Sequence, residues 1–154
     1  MRLLIAHIKR NRKLRSYLAN EQISYLKLFE KHSDTLFILD TKGTFIDVTQ
    51  ALEKALNIEV TKLINTSYKS WVDIKDLSKL ENHINQVVKG KTEHVESRLV
   101  IKENDTFIHV ETVFAPIHFE KEIIGIYGLA KDVTYIKELE RNLKMSEEKL
   151  HTLV

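Results

Sequence analysis

Two hydroxyl side chains, Ser97 and Thr112, are the residues of this 154-residue chain whose types and positions most suggest ligand chemistry. Each lies in an alternating apolar segment that predicts a β-strand, and a turn at Asn104-Asp105 would place the two hydroxyls opposite each other. Two small hydroxyls in an apolar wall can orient the polar group of a bound ligand. Ser and Thr also bond readily to local backbone, so a purely structural role stays open.

The aromatic residues Phe114, Tyr127 and Trp71 are predicted to stand near the two hydroxyls. We therefore predict a candidate ligand cleft lined by Ser97, Thr112 and these three aromatic side chains. Trp71 and Tyr127 are equally consistent with an ordinary hydrophobic core.

Motifs for catalysis are absent from the sequence. The chain has no cysteine, which excludes thiol nucleophiles, disulfides, thiolate zinc sites and iron–sulfur clusters. Gly125 and Gly128 are the only closely spaced glycines, so neither a P-loop nor a dinucleotide fingerprint is present. The sequence contains no serine on a Gly-flanked turn, the motif that would indicate Ser-His-Asp hydrolysis. We expect no enzymatic activity from this chain.

The strand histidines do not indicate a metal site. His109 and His118 are an odd number of residues apart, so they face opposite sides of one strand. We expect no metal.

Composition and charge narrow the class of protein. With 43% hydrophobic residues, four glycines and one proline, the chain is expected to form one globular domain with helical extensions. The net charge of +2 is too small to indicate nucleic-acid binding. The longest apolar run, Leu3 to Ile8, is far shorter than the roughly 18 residues of a membrane span, and we expect a cytoplasmic protein.

The N-terminal segment departs from the near-balance of basic and acidic residues in the whole chain. Residues 1–16 carry six Lys and Arg and no acid, so they could touch an anionic membrane surface or the phosphates of a nucleic acid. A solvated helical extension explains the same residues, because no aromatic side chain interleaves with the charges.

The hydrophobic periodicity predicts an α+β fold with a five-stranded antiparallel sheet and helices on one face. We divide the chain into an N-terminal helix (1–31), a domain (32–133) and a C-terminal helix (134–154). A first hairpin around Lys42-Gly43 would pair Leu39 with Ile46 and Phe37 with Val48. The second hairpin is predicted to pair Val95 with Phe114, Ser97 with Thr112, Leu99 with Val110, Ile101 with Ile108, and Arg98 with Glu111. Helices between residues 49 and 90, and a last strand from Glu122 to Lys131, complete the domain.

The C-terminal helix carries a heptad pattern. Charged residues occupy most outer positions. Apart from Ser146, apolar residues occupy the a and d positions: Ile136, Leu139, Leu143, Leu150 and Leu153. This pattern predicts a coiled coil and hence a homodimer. The alternative is an amphipathic helix that lies on its own domain.

The order of these segments resembles a PAS domain, from Leu28 to Leu150. The resemblance is carried by Leu28 to Asp34, Leu39 to Gly43, Leu63-Ile64-Asn65 with Ser70-Trp71, Val110-Glu111 with Ala115-Pro116-Ile117, and most strongly Ile123 to Thr134. It implies that Asp132 and Thr134 form the exit into a signalling helix. The last five residues also resemble Tyr25 to Phe29, which implies a further domain after residue 154.

The resemblance also implies which cofactors to expect. Light-sensing relatives form a flavin–cysteine adduct, which a chain without cysteine cannot do. Haem-binding relatives use a histidine on the long helix, where Leu80 stands in this chain. His83 lies near the same helical face and joins the candidate cleft, although we expect it to be an ordinary helix residue and expect no haem. The cofactor is thus an unknown small ligand or none.

The resemblance implies a sensory module of a bacterial sensor histidine kinase, with the output domain downstream in the same polypeptide. The alternatives are a module of a cyclic-di-GMP synthase or phosphodiesterase, and a ligand-free dimerisation scaffold.

Overall fold

The computed structural model describes residues 35–153. The predictions for the N-terminal helix 1–31 and for the basic residues 1–16 lie outside the described residues. Between residues 35 and 153, no helix combines the length and the hydropathy that crossing a membrane requires.

The centre of the fold is a five-stranded sheet in the order β2-β1-β5-β4-β3, with every neighbouring pair antiparallel. The strands are β1 (Thr35–Leu39), β2 (Phe45–Val48), β3 (Glu93–Ile101), β4 (Thr106–Phe119) and β5 (Glu122–Asp132). This architecture confirms the predicted fold class.

The connection from β2 to β3 supplies the helices that cover one face of the sheet. It contains α1 (Gln50–Leu56), α2 (Val60–Leu63), two 3-10 helices (Tyr68–Trp71 and Ile74–Asp76) and α3 (Leu77–Val87). In α3 the buried residues Leu80, Ile84 and Val87 recur at spacings of four and three, which places them on one face against the sheet. After β5 the chain forms α4 (Thr134–Leu153).

The hydrophobic core lies between this layer and the sheet. Leu39 and Ile126 are fully buried on the sheet side, and Leu52 and Leu80 are almost fully buried on the helix side. Burial of each such side chain stabilises the fold by about 1.5–3 kcal/mol.

The first hairpin confirms one predicted pair and corrects another. Phe37 pairs with Val48 as expected, but Leu39 pairs with Phe45 rather than Ile46, because the register shifts after Ile38. The physical reason is the turn, in which the Asp40 carboxylate accepts hydrogen bonds from the backbone N–H groups of Lys42 and Thr44, each 2.9 Å long.

The predicted register of the second hairpin is wrong by two residues. The structure pairs Glu93 with Phe114, Val95 with Thr112, Ser97 with Val110, Leu99 with Ile108, and Ile101 with Thr106. The loop therefore spans Lys102 to Asp105 instead of a two-residue turn. Lys102 packs over Trp71 and Glu103 accepts a hydrogen bond from Asn57, so contacts outside the hairpin determine where β3 ends.

The shift by two leaves every side chain on its predicted face, because the side-chain period of a strand is two. It does break the predicted pair of Arg98 with Glu111. Arg98 lies opposite His109 and pairs with the Asp73 carboxylate, while Glu96 lies opposite Glu111.

Candidate ligand cavity and helix junction

A small cavity lies between the sheet and the helices, at the predicted cleft. Aromatic side chains form much of its wall: Phe37, Phe45, Tyr68, Trp71 and Phe114. The Phe37 ring meets Phe45 and Phe114 edge to face, with centroids 5.6 and 6.0 Å away. Phe37 can occupy this place because residue 128 is glycine, where a Cβ atom would lie 2.1 Å from the ring.

The cavity volume is about 30 Å³. That is room for one or two water molecules and far below the roughly 300–1,000 Å³ of an ordinary ligand site. A larger ligand would therefore have to displace one of the aromatic side chains.

Two polar side chains stand in this apolar wall, and they are the predicted pair. Ser97 is 7% exposed and Thr112 is 4% exposed, and both line the cavity. They lie on adjacent strands as diagonal neighbours rather than directly opposite, since Ser97 faces Val110 and Thr112 faces Val95. Among residues 35–153, neither hydroxyl has a side-chain hydrogen-bond partner. The cavity thus offers two hydroxyl groups to a small polar group.

Tyr68 also lines the cavity. Burial, and secondarily the negative charge of Glu81, raises the pKa of its phenol. The phenol therefore stays protonated at neutral pH.

Phe114 and Trp71 also line the cavity. The Trp71 indole Nε1 donates to Thr66 Oγ1 over 2.9 Å, and the Lys102 ammonium lies 4.1 Å from the centre of the Trp71 rings. Trp71 therefore has one face on the cavity and the other under a surface lysine.

Tyr127 and His83 are not brought to the cavity. Tyr127 pairs with Ile38 and Ala115 on the sheet face opposite the one that carries Gly128 and Ala130. His83 is partly exposed on α3, where its Nδ1 lies 3.5 Å from the Glu93 carboxylate. Across residues 35–153, no cluster of His, Asp and Glu side chains could hold a metal ion.

A surface groove of about 540 Å³, which the sequence did not indicate, adjoins the cavity. It lies between the end of α1, α2 and the β3–β4 loop, and Leu56 and Trp71 line both spaces. Only the tertiary structure joins these segments, so sequence spacing carries no signal for the groove.

The predicted exit residues attach α4 to the sheet. The Val133 N–H donates to the His109 carbonyl (2.8 Å), and Thr134 Oγ1 accepts from the His109 N–H (3.0 Å). The Asp132 carboxylate accepts from the Thr134 N–H (2.9 Å), which satisfies a free N–H at the start of the helix. Together these bonds fix the start of α4 beside β4.

A second attachment of α4 was missed at the sequence level. Lys137 Nζ lies 3.0 Å from the Glu96 carboxylate on β3. Hydrogen bonding and charge attraction from Glu96, with smaller contributions from Glu140 and Glu111, raise the pKa of Lys137. The signal would have been the acidic pair Glu96–Glu111, which appears only in the correct register.

Beyond this attachment, no contact within residues 35–153 buries α4. Every residue from Glu138 to His151 is exposed. The predicted dimerisation residues Leu139 (49%), Leu143 (63%) and Leu150 (64%) lie in this stretch, and Ile136, just before the attachment, is 45% exposed.

Comparison with known proteins identifies the fold. A family model described as the PAS fold matches residues 29–137. No curated protein is significantly similar to this chain.

Solved structures agree with the family match. The PAS domain of a protein from Colwellia psychrerythraea has 19% sequence identity and a TM-score of 0.67, and the match covers 74% of this chain and 98% of that one. A domain of a sensory box sensor histidine kinase/response regulator from Geobacter sulfurreducens has 22% identity and a TM-score of 0.63, with 75% and 96% covered. A sensory box histidine kinase/response regulator from Burkholderia thailandensis has 18% identity and a TM-score of 0.64, with 83% and 98% covered. The chain belongs to the PAS family.

Proposed function

We propose that this chain is the sensory and dimerisation module of a sensor histidine kinase, and that it relays the state of its cavity through α4. The module itself is non-catalytic and acts in the cytoplasm, and the output domain follows in the same polypeptide. Two of the similar structures come from sensory box histidine kinases, which supports this output over a cyclic-di-GMP enzyme.

The observation that carries the proposal is the exposed apolar seam of α4. A helix of 20 residues extends about 30 Å, and most of the stability of a helix in a protein comes from packing of its apolar face. Its apolar residues recur at heptad spacing, whereas its flanks are charged. A second copy of the same helix would cover the seam and stabilise it.

Leu143→Lys and Leu150→Lys test the dimer, because each places a charge in the seam. We expect both variants to shift the chain toward monomer in sedimentation. Met145 supplies the matched control: it is 52% exposed on the same helix but lies off the seam, so Met145→Lys should leave the dimer intact. Equal sedimentation of all three variants and the parent would contradict a dimer through α4.

The sensory part of the proposal rests on the two hydroxyls in the cavity. A ligand with one small polar group and an apolar body would satisfy Ser97 and Thr112 and contact the aromatic wall. Native mass spectrometry of the purified protein should show a retained small molecule. Thr112→Val should lose that molecule and keep the dimer.

A ligand-free scaffold is the second candidate, and the small cavity favours it. A volume of about 30 Å³ leaves almost no space for a guest. If native mass spectrometry shows only the bare polypeptide, and Ser97→Val and Thr112→Val both increase stability, the scaffold explains the protein better.

A further inference from the structure

Strand β3 contacts both the cavity and α4 through neighbouring residues. Ser97 lines the cavity, whereas Glu96 points to the opposite face and pairs with Lys137 of α4. A displacement of β3 at Ser97 is therefore a displacement of Glu96 as well.

The α4 helix has two points of attachment to the sheet. The first lies at His109 of β4, which accepts from the Val133 N–H and donates to the Thr134 hydroxyl. The second, three residues later, is the ion pair of Lys137 with Glu96 on β3. Because one point lies on each strand, a movement of β3 relative to β4 changes the direction of the helix axis.

The charges around the Lys137–Glu96 ion pair give it a specific electrostatic role. Glu96 and Glu111 lie directly opposite each other, and two like charges in that position repel. Lys137 offsets this repulsion through its ion pair with Glu96, while Lys131 of β5 lies opposite Glu111. Glu140 approaches Lys137 from its own helix at 3.8 Å. If α4 moved away, the Lys137 ammonium would move with it, and the Glu96 and Glu111 carboxylates would face each other without it.

We infer that Lys137 is a positioning residue that sets the tilt of α4 according to the position of β3. The inference rests on the proposed sensory function, in which the occupant of the cavity contacts Ser97. A pivot at Thr134 lies 11 residues from Met145, or about 16 Å along the helix, so a tilt of about 15° would move Met145 by about 4 Å.

The chain has no cysteine, so two introduced cysteines can report this tilt. Spin labels at His118→Cys on β4 and Met145→Cys on α4 measure the distance between sheet and helix. Dilution of labelled chains in an excess of unlabelled protein suppresses distances between copies.

We expect Lys137→Met to broaden or shift the label distance by several ångströms. Lys144→Met, which removes the same charge from an exposed site farther along α4, should reproduce the parent distribution. Ser97→Val should shift the distance when Lys137 is present and leave it unchanged in the Lys137→Met background. Ser97→Ala serves the same purpose if the valine variant folds poorly.

An unchanged distance in Lys137→Met overturns the inference. So does a Ser97→Val shift of equal size in both backgrounds, or no shift in either. The outcome is separable from that of the proposed function, because sedimentation of the Leu143→Lys variant and native mass spectrometry do not depend on Lys137.

Discussion

The sheet core and α4 use the same residue types in opposite ways. Ile126 of β5 is fully buried against the helices, whereas Ile136 of α4 is 45% exposed. In the core the apolar side chains meet partners from the same chain. On α4 they form a seam that residues 35–153 leave exposed between Glu138 and His151. The contrast teaches that the apolar side chains of the sheet are buried within residues 35–153, whereas the seam of α4 stays exposed and is, in our proposal, covered by a second copy.

The largest expected effect tests this contrast with one substitution in two places. Ile126→Ala should lower the free energy of unfolding by about 2–5 kcal/mol, because it opens a cavity in a packed core. Ile136→Ala should change it by no more than about 0.5 kcal/mol in dilute solution. Denaturant titrations measure both values. A large effect of Ile136→Ala in the monomer would mean that α4 packs on its own domain.

The next effect tests a buried polar contact in the core region. Thr49 is 5% exposed, and its hydroxyl accepts the Leu36 N–H over 3.1 Å. Thr49→Val should lower the free energy of unfolding by about 1–3 kcal/mol, because it leaves that N–H without an acceptor. Thr61→Val, at an exposed site on α2, is the control and should be close to neutral in the same titration. If Thr49→Val and Thr61→Val change the free energy of unfolding equally, the Leu36 N–H finds another acceptor in the variant.

A smaller effect is expected where the two regions join. Thr134→Val removes the acceptor for the His109 N–H and should lower the free energy of unfolding by about 1 kcal/mol. Hydrogen exchange at His109 should accelerate, while exchange at Ile126 should stay slow. If His109 exchange is unchanged, Thr134 does not anchor the helix.

The smallest effect concerns the charge on α4. The Glu96 carboxylate holds the pKa of Lys137 above its ordinary value, so the favourable interaction is present below that value and is lost as the pH rises through the raised pKa. Glu96→Gln should lower the pKa of Lys137, as measured by NMR titration of the side chain. Glu59→Gln, at an exposed residue before α2, is the control and should leave the pKa of Lys137 unchanged. No change in Glu96→Gln would remove the electrostatic basis of the second attachment.

Periodicity was enough to predict which face of each strand is buried. Phe37, Val95 and Phe114 all face the core as their alternation indicated. Periodicity could not predict register, because a slip of two residues leaves the alternation intact. The position of the β3–β4 loop depends on Trp71 and Asn57, which are distant along the chain.

The candidate site divides in the same way. Ser97, Thr112, Phe114 and Trp71 line the cavity, whereas Tyr127 lies on the other sheet face. The groove beside Trp71 and the pair Lys137–Glu96 depend on segments that meet only in the folded chain.

The amino-acid sequence alone determined the order of the elements, the buried face of each strand and the apolar seam of α4, because these follow from local spacing. The tertiary structure decided the register, the size of the cavity and the second attachment of the exit helix. Those features depend on contacts between residues far apart in the chain, and no local pattern encodes such contacts.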